Sequence, residues 1–269
     1  MKIWFITGTS RGFGREWATA ALKRGDKVAA TAREIGTLDL LVQEFGDAVL
    51  PLALDVTDRT AAFAAVKAAH DHFGRLDVVV NNAGYGLFGA IEEVSEQQAR
   101  AQLETNVFGA LWITQAALPY LRAQGSGHFL QVSSIGGIAA FPGVGLYHAS
   151  KWALEGFSDT LSQEVAQFGI AVTLVEPGGF TTDWAGSSAV RAEPNPAYDS
   201  IRGSRPTTAV KRGDPVASSE AILKVVDSGN PPLRLLLGNF AAGYVKELYP
   251  KRLETWAAWE EVARAADGS

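Results

Sequence analysis

The sequence predicts an α/β fold: a doubly wound, mostly parallel seven-stranded sheet with helices on both faces. Two observations carry this. Short apolar runs alternate with longer helix-period segments from the first residues to about residue 177, and the runs are near-continuous in Val, Ile, Leu and Ala. Strands covered by helices on both faces read that way, and strand–helix alternation builds right-handed crossovers into a parallel sheet.

The elements follow in order. A first strand is expected at Lys2–Thr7, then a helix at Gly12–Arg24 with Trp17, Ala18, Ala21 and Leu22 on one face. A strand at Lys27–Ala32, a helix near Leu38–Phe45 and a strand at Val49–Leu54 come next. Thr57 or Asp58 is the candidate N-cap of a helix over Thr57–Phe73. The fourth strand is expected at Leu76–Asn81, and a helical pattern runs over Ser95–Ala123. A strand at His128–Ser133, a helix at Leu146–Phe168 and strands at Ala171–Glu176 and Leu233–Leu237 complete the sheet. Gly25, Gly74 and Gly169 stand where helices should stop.

The exception is Pro177–Pro215, which holds five of the eleven prolines and has no sustained period. An aperiodic segment of this length inside a compact domain is usually a functional loop, so 177–215 is read as a substrate-binding lid. A helix near Ser218–Val226 follows it, and a Trp/Glu/Ala-rich helix is expected at Tyr244–Ala265, docked on the core. No linker separates two cores, so residues 1–269 are read as one domain.

Composition narrows the function. A net charge of −5 and a pI near 5.5 give no footprint for nucleic acid or an anionic membrane. With no cysteine there is neither a disulfide nor a thiolate metal site. His70-Asp71-His72 reads as a solvated helix end rather than a metal fragment. The apolar start Ile3–Ile6 is too short for a signal peptide, and no run of about 18 apolar residues occurs. A soluble cytoplasmic protein is expected.

Right after the first strand comes Thr7-Gly8-Thr9-Ser10-Arg11-Gly12-Phe13-Gly14. Glycines let a backbone turn tightly and approach a pyrophosphate, which then sits on the helix N-terminus. Gly8, Ser10, Arg11, Gly12, Phe13 and Gly14 are therefore candidate dinucleotide ligands, in a Rossmann-type arrangement. Specificity is read at the end of the second strand, where an NAD site places a carboxylate. Here Thr31-Ala32-Arg33 has no acid, and Arg33 with Arg11 can grip a 2′-phosphate through charge-assisted hydrogen bonds. Glu34 lies past the strand end and is expected to face solvent. NADP(H) is preferred over NAD(H) on this reading.

Tyr147 and Lys151 are four residues apart and share a helix face. A cation beside a phenol favours its ionised form, which brings a group of pKa near ~10 toward proton exchange at neutral pH. His148 points away around the helix and reads as a packing or pocket-edge residue.

Together with Asn81-Asn82-Ala83-Gly84, Asn106, Ser134 and Pro177-Gly178, these motifs resemble the short-chain dehydrogenase/reductase superfamily. They fall in order from about residue 3 to residue 182. Tyr85-Gly86 and Leu237-Gly238 ahead of a Trp-containing tail are similar to bacterial members close to 17β-hydroxysteroid and retinol dehydrogenases. The resemblance implies that Ser134 holds the substrate oxygen, that Tyr147 passes the proton, and that Lys151 hydrogen-bonds the nicotinamide ribose and, with the positive nicotinamide ring, lowers the tyrosine pKa. It implies that Asn106 supports a water linking the lysine to solvent. Asp55 and Val56 would flank the adenine, Asn82, Ala83 and Gly84 would line the cofactor groove, and Pro177, Gly178 and Thr182 would fix the carboxamide end. It further implies a homo-oligomer, dimer or tetramer, built on the helices at Ser95–Ala123 and Leu146–Phe168.

The expected activity is interconversion of a small-molecule ketone or aldehyde with an alcohol. Tyr85, Phe141, Val144, Phe180 and Trp184 flank the reacting centre in sequence or open the lid, so an apolar pocket for bulky or aryl substrates is expected. A nucleotide-sugar epimerase or dehydratase, or a dinucleotide sensor without catalysis, is the alternative. Such epimerases usually have longer chains, and a sensor has no need of the Asn106, Ser134, Tyr147 and Lys151 set.

Overall fold

The computed structural model describes residues 1–203 and 212–268; residues 204–211 of the expected lid lie outside them. The chain order is β1 (Ile3–Ile6), α1 (Gly12–Lys23), β2 (Lys27–Ala32), α2 (Asp39–Phe45), β3 (Val49–Ala53), α3 (Arg59–Phe73), β4 (Val78–Asn81) and a short β5 (Leu87–Phe88). Then come α4 (Glu96–Leu103), α5 (Gly109–Gln124), β6 (Gly127–Val132), α6 (Gly145–Val165), β7 (Ile170–Pro177) and a short β8 (Val190–Arg191). The chain closes with α7 (Asp199–Gly203), α8 (Pro215–Val226), β9 (Arg234–Leu237), α9 (Asn239–Ala258) and α10 (Glu260–Ala265).

Seven strands form one sheet in the order β3-β2-β1-β4-β6-β7-β9, and every pairing in it is parallel. These are the seven expected strands, shifted by one or two residues at their ends. Residues of β1 alternate between two cores, because successive strand side chains point to opposite faces. Trp4 and Ile6 join the core that holds Trp17 of α1 and Ile222 of α8. Ile3 and Phe5 join the one that holds Val66 of α3, Ile113 of α5 and Leu161 of α6. The buried indoles keep polar partners: Trp4 Nε1 donates to Asp26 at 2.9 Å and Trp17 Nε1 to Ser218 Oγ at 2.9 Å. Asp58 caps α3, its carboxylate accepting from the Ala61 amide at 2.9 Å.

Three departures from expectation matter. The helical pattern over Ser95–Ala123 is broken by a π turn at Glu104–Phe108, between α4 and α5. The expected lid carries local structure: a 3₁₀ turn at Asp183–Ala185, then β8, which pairs with β5, and α7. The tail helix begins five residues before Tyr244, at Asn239, and only its first half docks. Phe240, Ala241, Tyr244 and Leu248 pack with Ile135, Ile138 and Phe141, whereas Trp256 and Trp259 are 66% and 64% exposed. No helix among the described residues is long and apolar enough to cross a membrane.

His128 at the base of β6 gives the fold a pH dependence. Its Nε2–H donates to Thr173 Oγ1 at 2.9 Å, since that hydroxyl already donates to the Pro232 carbonyl at 2.7 Å. Burial, with the nearby Lys2 charge, pushes its pKa down to about 4. The unfolded chain, with an ordinary histidine near ~6.5, binds the proton more readily, so stability is lost as pH falls from about 6.5 toward 4. Between pH 6.5 and 5 this costs about 1.6 kcal/mol, because the unfolded histidine is already half protonated at the upper value. Urea unfolding of the wild type and of His128→Gln at the two pH values should show that increment only in the wild type.

Candidate active site

The chain runs outward from β1 to β3 and then returns to β4, so the two halves of the sheet diverge at the β1–β4 pair. Crevices for ligands form at the carboxyl ends of strands at such a switch point. A groove of about 810 Å³ lies here, reaching from the glycine loop past Asn82 to Tyr147 and the Asp183–Ser188 turn.

The glycine loop is built for close approach. A Cβ at Gly14 would stand 2.4 Å from the Gly8 carbonyl oxygen and 2.5 Å from Asn82 Nδ2. Gly8 itself adopts φ +70°, a conformation costly for other residues. Asn82 clamps the turn, donating from Nδ2 to the carbonyls of Thr7 (2.8 Å) and Gly8 (3.0 Å). Thr7, a residue the sequence reading missed, completes the clamp: its Oγ1 accepts from the amides of Asn82 and Ala83, both at 2.9 Å. Ser10, Arg11, Gly12, Phe13, Asp55, Val56, Ala83, Gly84, Pro177, Gly178 and Thr182 all line the groove, as does Arg33 at its β2 edge. Asp55 holds its loop by accepting from the amide and hydroxyl of Thr57 at 3.0 and 2.8 Å. Glu34 is exposed beyond Arg33 and does not line the groove. This open, glycine-walled cradle at a helix N-terminus fits a dinucleotide.

At the other end, the first two turns of α6 carry Tyr147 and Lys151, both buried. Ser134, just past β6, lines the groove with Tyr147, and its Oγ accepts from the Gly136 amide at 3.0 Å. Lys151 Nζ donates to the Val132 carbonyl at 2.8 Å and sits 5.8 Å from the centre of the Tyr147 ring. From spacing alone, the cation is expected to favour the phenolate. In the structure burial outweighs it: the phenol is pushed up to about 12, with the Ser134 hydroxyl working in the opposite direction. Burial also pushes Lys151 down to about 8, opposed by the Glu155 carboxylate.

Asn106 sits in the π turn, where the wider backbone repeat aims its side chain inward. Its Oδ1 accepts from the Tyr85 amide at 3.2 Å, and its Nδ2 donates to the Tyr85 carbonyl and to Ser150 Oγ, both at 3.1 Å. It thus ties the Asn82–Tyr85 wall to α6 close to Lys151. Ser150 and Gln102, which donates to the Tyr85 carbonyl at 3.1 Å, are further members that sequence reasoning missed. His148 does more than edge the pocket. Its Nε2 accepts from the Phe141 amide at 3.0 Å, so Nδ1 carries the proton and donates to the Gly136 carbonyl at 3.0 Å. Burial lowers its pKa, which suits this neutral brace across the loop that presents Ser134 and Phe141.

All five expected pocket residues line the groove. Trp184 lies 4.9 Å from the Tyr147 ring and Phe141 packs on His148 and Tyr244. Phe180 also packs edge-on against Phe13 at 5.0 Å, at the glycine loop. The Asp183–Ser188 turn also reaches that loop through Arg11, which pairs with Asp183 at 2.9 Å and donates to Ser187 Oγ at 3.0 Å. Ser187 and Ser188 hydrogen bonds, with Arg11, hold the Asp183 carboxyl down at about 2.

A family model described as short chain dehydrogenase matches residues 2–192. An oxidoreductase of Botryotinia fuckeliana, BOA17, is 44% identical, covering 98% of this chain and 99% of its own. A 3-ketodihydrosphingosine reductase of Bacteroides thetaiotaomicron is 36% identical over 88% of each chain. Among solved structures, a short-chain dehydrogenase from Streptomyces avermitilis superposes with a TM-score of 0.93 at 40% identity, covering 99% of this chain and all of that one. An alcohol dehydrogenase from Thermococcus sibiricus complexed with 5-hydroxy-NADP gives 0.75 at 28% identity, with 88% and 96% covered. A 3-ketoacyl-(acyl-carrier-protein) reductase from Brucella melitensis complexed with NADH gives 0.76 at 26% identity, with 88% and 96% covered.

Proposed function

This chain belongs to the short-chain dehydrogenase family, a family of nicotinamide-dependent oxidoreductases, and from that premise we propose that it is an NADP(H)-dependent carbonyl reductase/alcohol dehydrogenase. The observation that carries the proposal is the Ser134–Tyr147–Lys151 cluster at the end of a groove that starts at the glycine loop.

A nicotinamide dinucleotide, when bound, supplies or accepts the hydride. The chain's residues do the rest. Gly8 to Gly14 receive the pyrophosphate, and Asp55 and Val56 flank the adenine. Pro177, Gly178 and Thr182 hold the carboxamide end. For reduction, Ser134 Oγ and Tyr147 Oη take the substrate's carbonyl oxygen between them. A phenol held near 12 is fully protonated at neutral pH, so it enters the reaction as the acid. Its proton moves to the oxygen as negative charge develops there, and stabilising that charge is where the rate gain lies. Lys151 keeps a positive charge beside the ring as the phenol gives up its proton, and Asn106 holds the wall next to it.

Apolar walls from Tyr85, Phe141, Val144 and Trp184 support a bulky or aryl ketone, and one relative is named for reducing a 3-keto compound. We place the contact between copies of the chain on the faces of α5 and α6, where Phe108 at the head of α5 and Trp152 are 39% and 45% exposed. Initial rates with NADPH and NADH across a panel of ketones and alcohols test the whole reading. Faster turnover of a small sugar than of any aryl ketone would overturn the pocket assignment.

The preference for NADP(H) rests on Arg11 and Arg33 lining the groove while Glu34 does not. A hydrogen bond to a charged group contributes about 1.5–3 kcal/mol, so Arg33→Ala should weaken NADPH binding about tenfold or more and leave NADH binding nearly unchanged. Asp183→Asn, which frees Arg11, should shift selectivity the other way. Fluorescence titration of both cofactors reads each effect.

A further inference from the structure

One helical turn beyond Lys151, α6 carries Glu155, and its carboxylate is 6% exposed. Glu176, at the end of β7 just before Pro177, is 1% exposed. Both face one guanidinium, that of Arg234 on β9: Nε lies 3.1 Å from Glu155 Oε2 and 3.6 Å from Glu176 Oε1. The other arm of Arg234 is taken by Asp159, at 2.8 Å. These groups, with Lys151, are the charged ones that meet here from α6, β7 and β9.

Arg234 and Asp159, 40% and 39% exposed, pair with each other at the rim, which leaves the buried Glu155 and Glu176 against the buried Lys151 with one negative charge in excess. Taking an unbalanced charge out of water costs several kcal/mol, so such clusters recruit a proton instead. The hydrogen-bond pattern points to where it sits. Glu155 Oε1 and Glu176 Oε1 are both buried with no hydrogen-bond donor among the described residues, while both carboxylates converge on the same Arg234 Nε. Two ionised carboxylates brought together in this way can only accept, so a proton on the pair supplies the missing donor. The cluster is packed tightly: a Cβ at Gly137 would stand 3.1 Å from Glu155 Oε1 and 2.5 Å from Ser133 Oγ, another buried atom without a partner.

We propose that Glu155 and Glu176 share one proton and that this pair, with Glu155 nearest, acts as a positioning group that holds the positive charge on Lys151. The role toward Lys151 bears on catalysis only through the function proposed above, whereas the shared proton stands without it. Burial and the Glu155 charge push the Glu176 carboxyl up to about 8, against the pull of Arg234, and the same Glu155 charge supports the Lys151 ammonium against burial. The pair therefore carries one negative charge at pH 7 and two above about pH 8.

Two measurements on the purified protein test this without any assay of turnover. Infrared spectra at pH 7 should contain a protonated-carboxyl C=O band that is absent from Glu176→Gln and that fades in the wild type as pH is raised through about 8. Side-chain NMR of Lys151, assigned with Lys151→Met, should show its titration moving to lower pH by about one unit in Glu155→Gln, because its counter-charge is gone. A wild type with no such band at pH 7, or with a band that survives in Glu176→Gln, would overturn the shared proton. A Lys151 titration unmoved in Glu155→Gln would overturn the role of Glu155. If Glu155→Gln fails to fold, Glu155→Asp, which keeps the charge, should leave the Lys151 titration close to wild type, and a full-unit fall there overturns it equally.

Discussion

Replacing Tyr147 by phenylalanine should lower kcat by about 10³-fold, the typical size of a lost general acid, while NADPH still binds with an affinity within about twofold of wild type. The substitution removes one oxygen and leaves the ring, so the contact with Trp184 at 4.9 Å and the packing beside His148 persist. What disappears is the proton that the substrate oxygen must receive. The buried phenol is held near 12 by desolvation, and a phenylalanine in the same place has no polar atom to desolvate. Stability should therefore change little, which separates a chemical defect from a folding one. Initial rates, NADPH fluorescence titration and a thermal melt decide the matter together. A variant that keeps more than a tenth of wild-type turnover would remove Tyr147 from the mechanism.

Gly14→Ala should be nearly as damaging, for a different reason. The new methyl group would stand 2.4 Å from the Gly8 carbonyl oxygen, a backbone atom that cannot rotate away. The turn would have to open, and the two hydrogen bonds from Asn82 to Thr7 and Gly8 would open with it. Overpacking of this kind costs about 1–3 kcal/mol, and the distorted cradle should bind NADPH at least tenfold more weakly, since about 1.4 kcal/mol of lost contact is a factor of ten. Gly243→Ala provides the control. Gly243 lies on the exposed face of α9 with nothing within 4 Å of its added Cβ, so the substitution should stabilise by about 0.5–1 kcal/mol. Urea unfolding of the two variants should move in opposite directions from the wild type.

Much of the site was legible because its motifs are local. The glycine loop must follow a strand and open a helix, and Thr7–Gly14 does so between β1 and α1. Tyr147 and Lys151 share a helix face because 3.6 residues make a turn, a fact independent of tertiary structure. Other members were illegible for equally physical reasons. His148 braces Gly136 and Phe141 across a loop, and nothing in its helical position announces that. Asn106 reads as a poor helix former, but the π turn that turns this weakness to use appears only with the backbone. The tail's tryptophans suggested a docked helix, and only the half around Tyr244 packs on the Ile135–Phe141 loop. Apolar content reports what can be buried, while the reach of the neighbouring surface sets how much is.

The sequence by itself determined the seven strands, the helices between them, the cofactor cradle and the tyrosine–lysine pair. Each rests on spacing within a dozen or so residues. Tertiary structure alone decided which distant charges meet. Arg234 is 79 residues from Glu155, and the two come together because β9 pairs with β7 beside α6. That strand order brings the half-exposed Arg234 onto the buried Glu176 and Glu155, one helical turn from Lys151. The electrostatic environment of the lysine is therefore a property of the fold rather than of its motif, because burial and strand order set which charges are left unscreened around it.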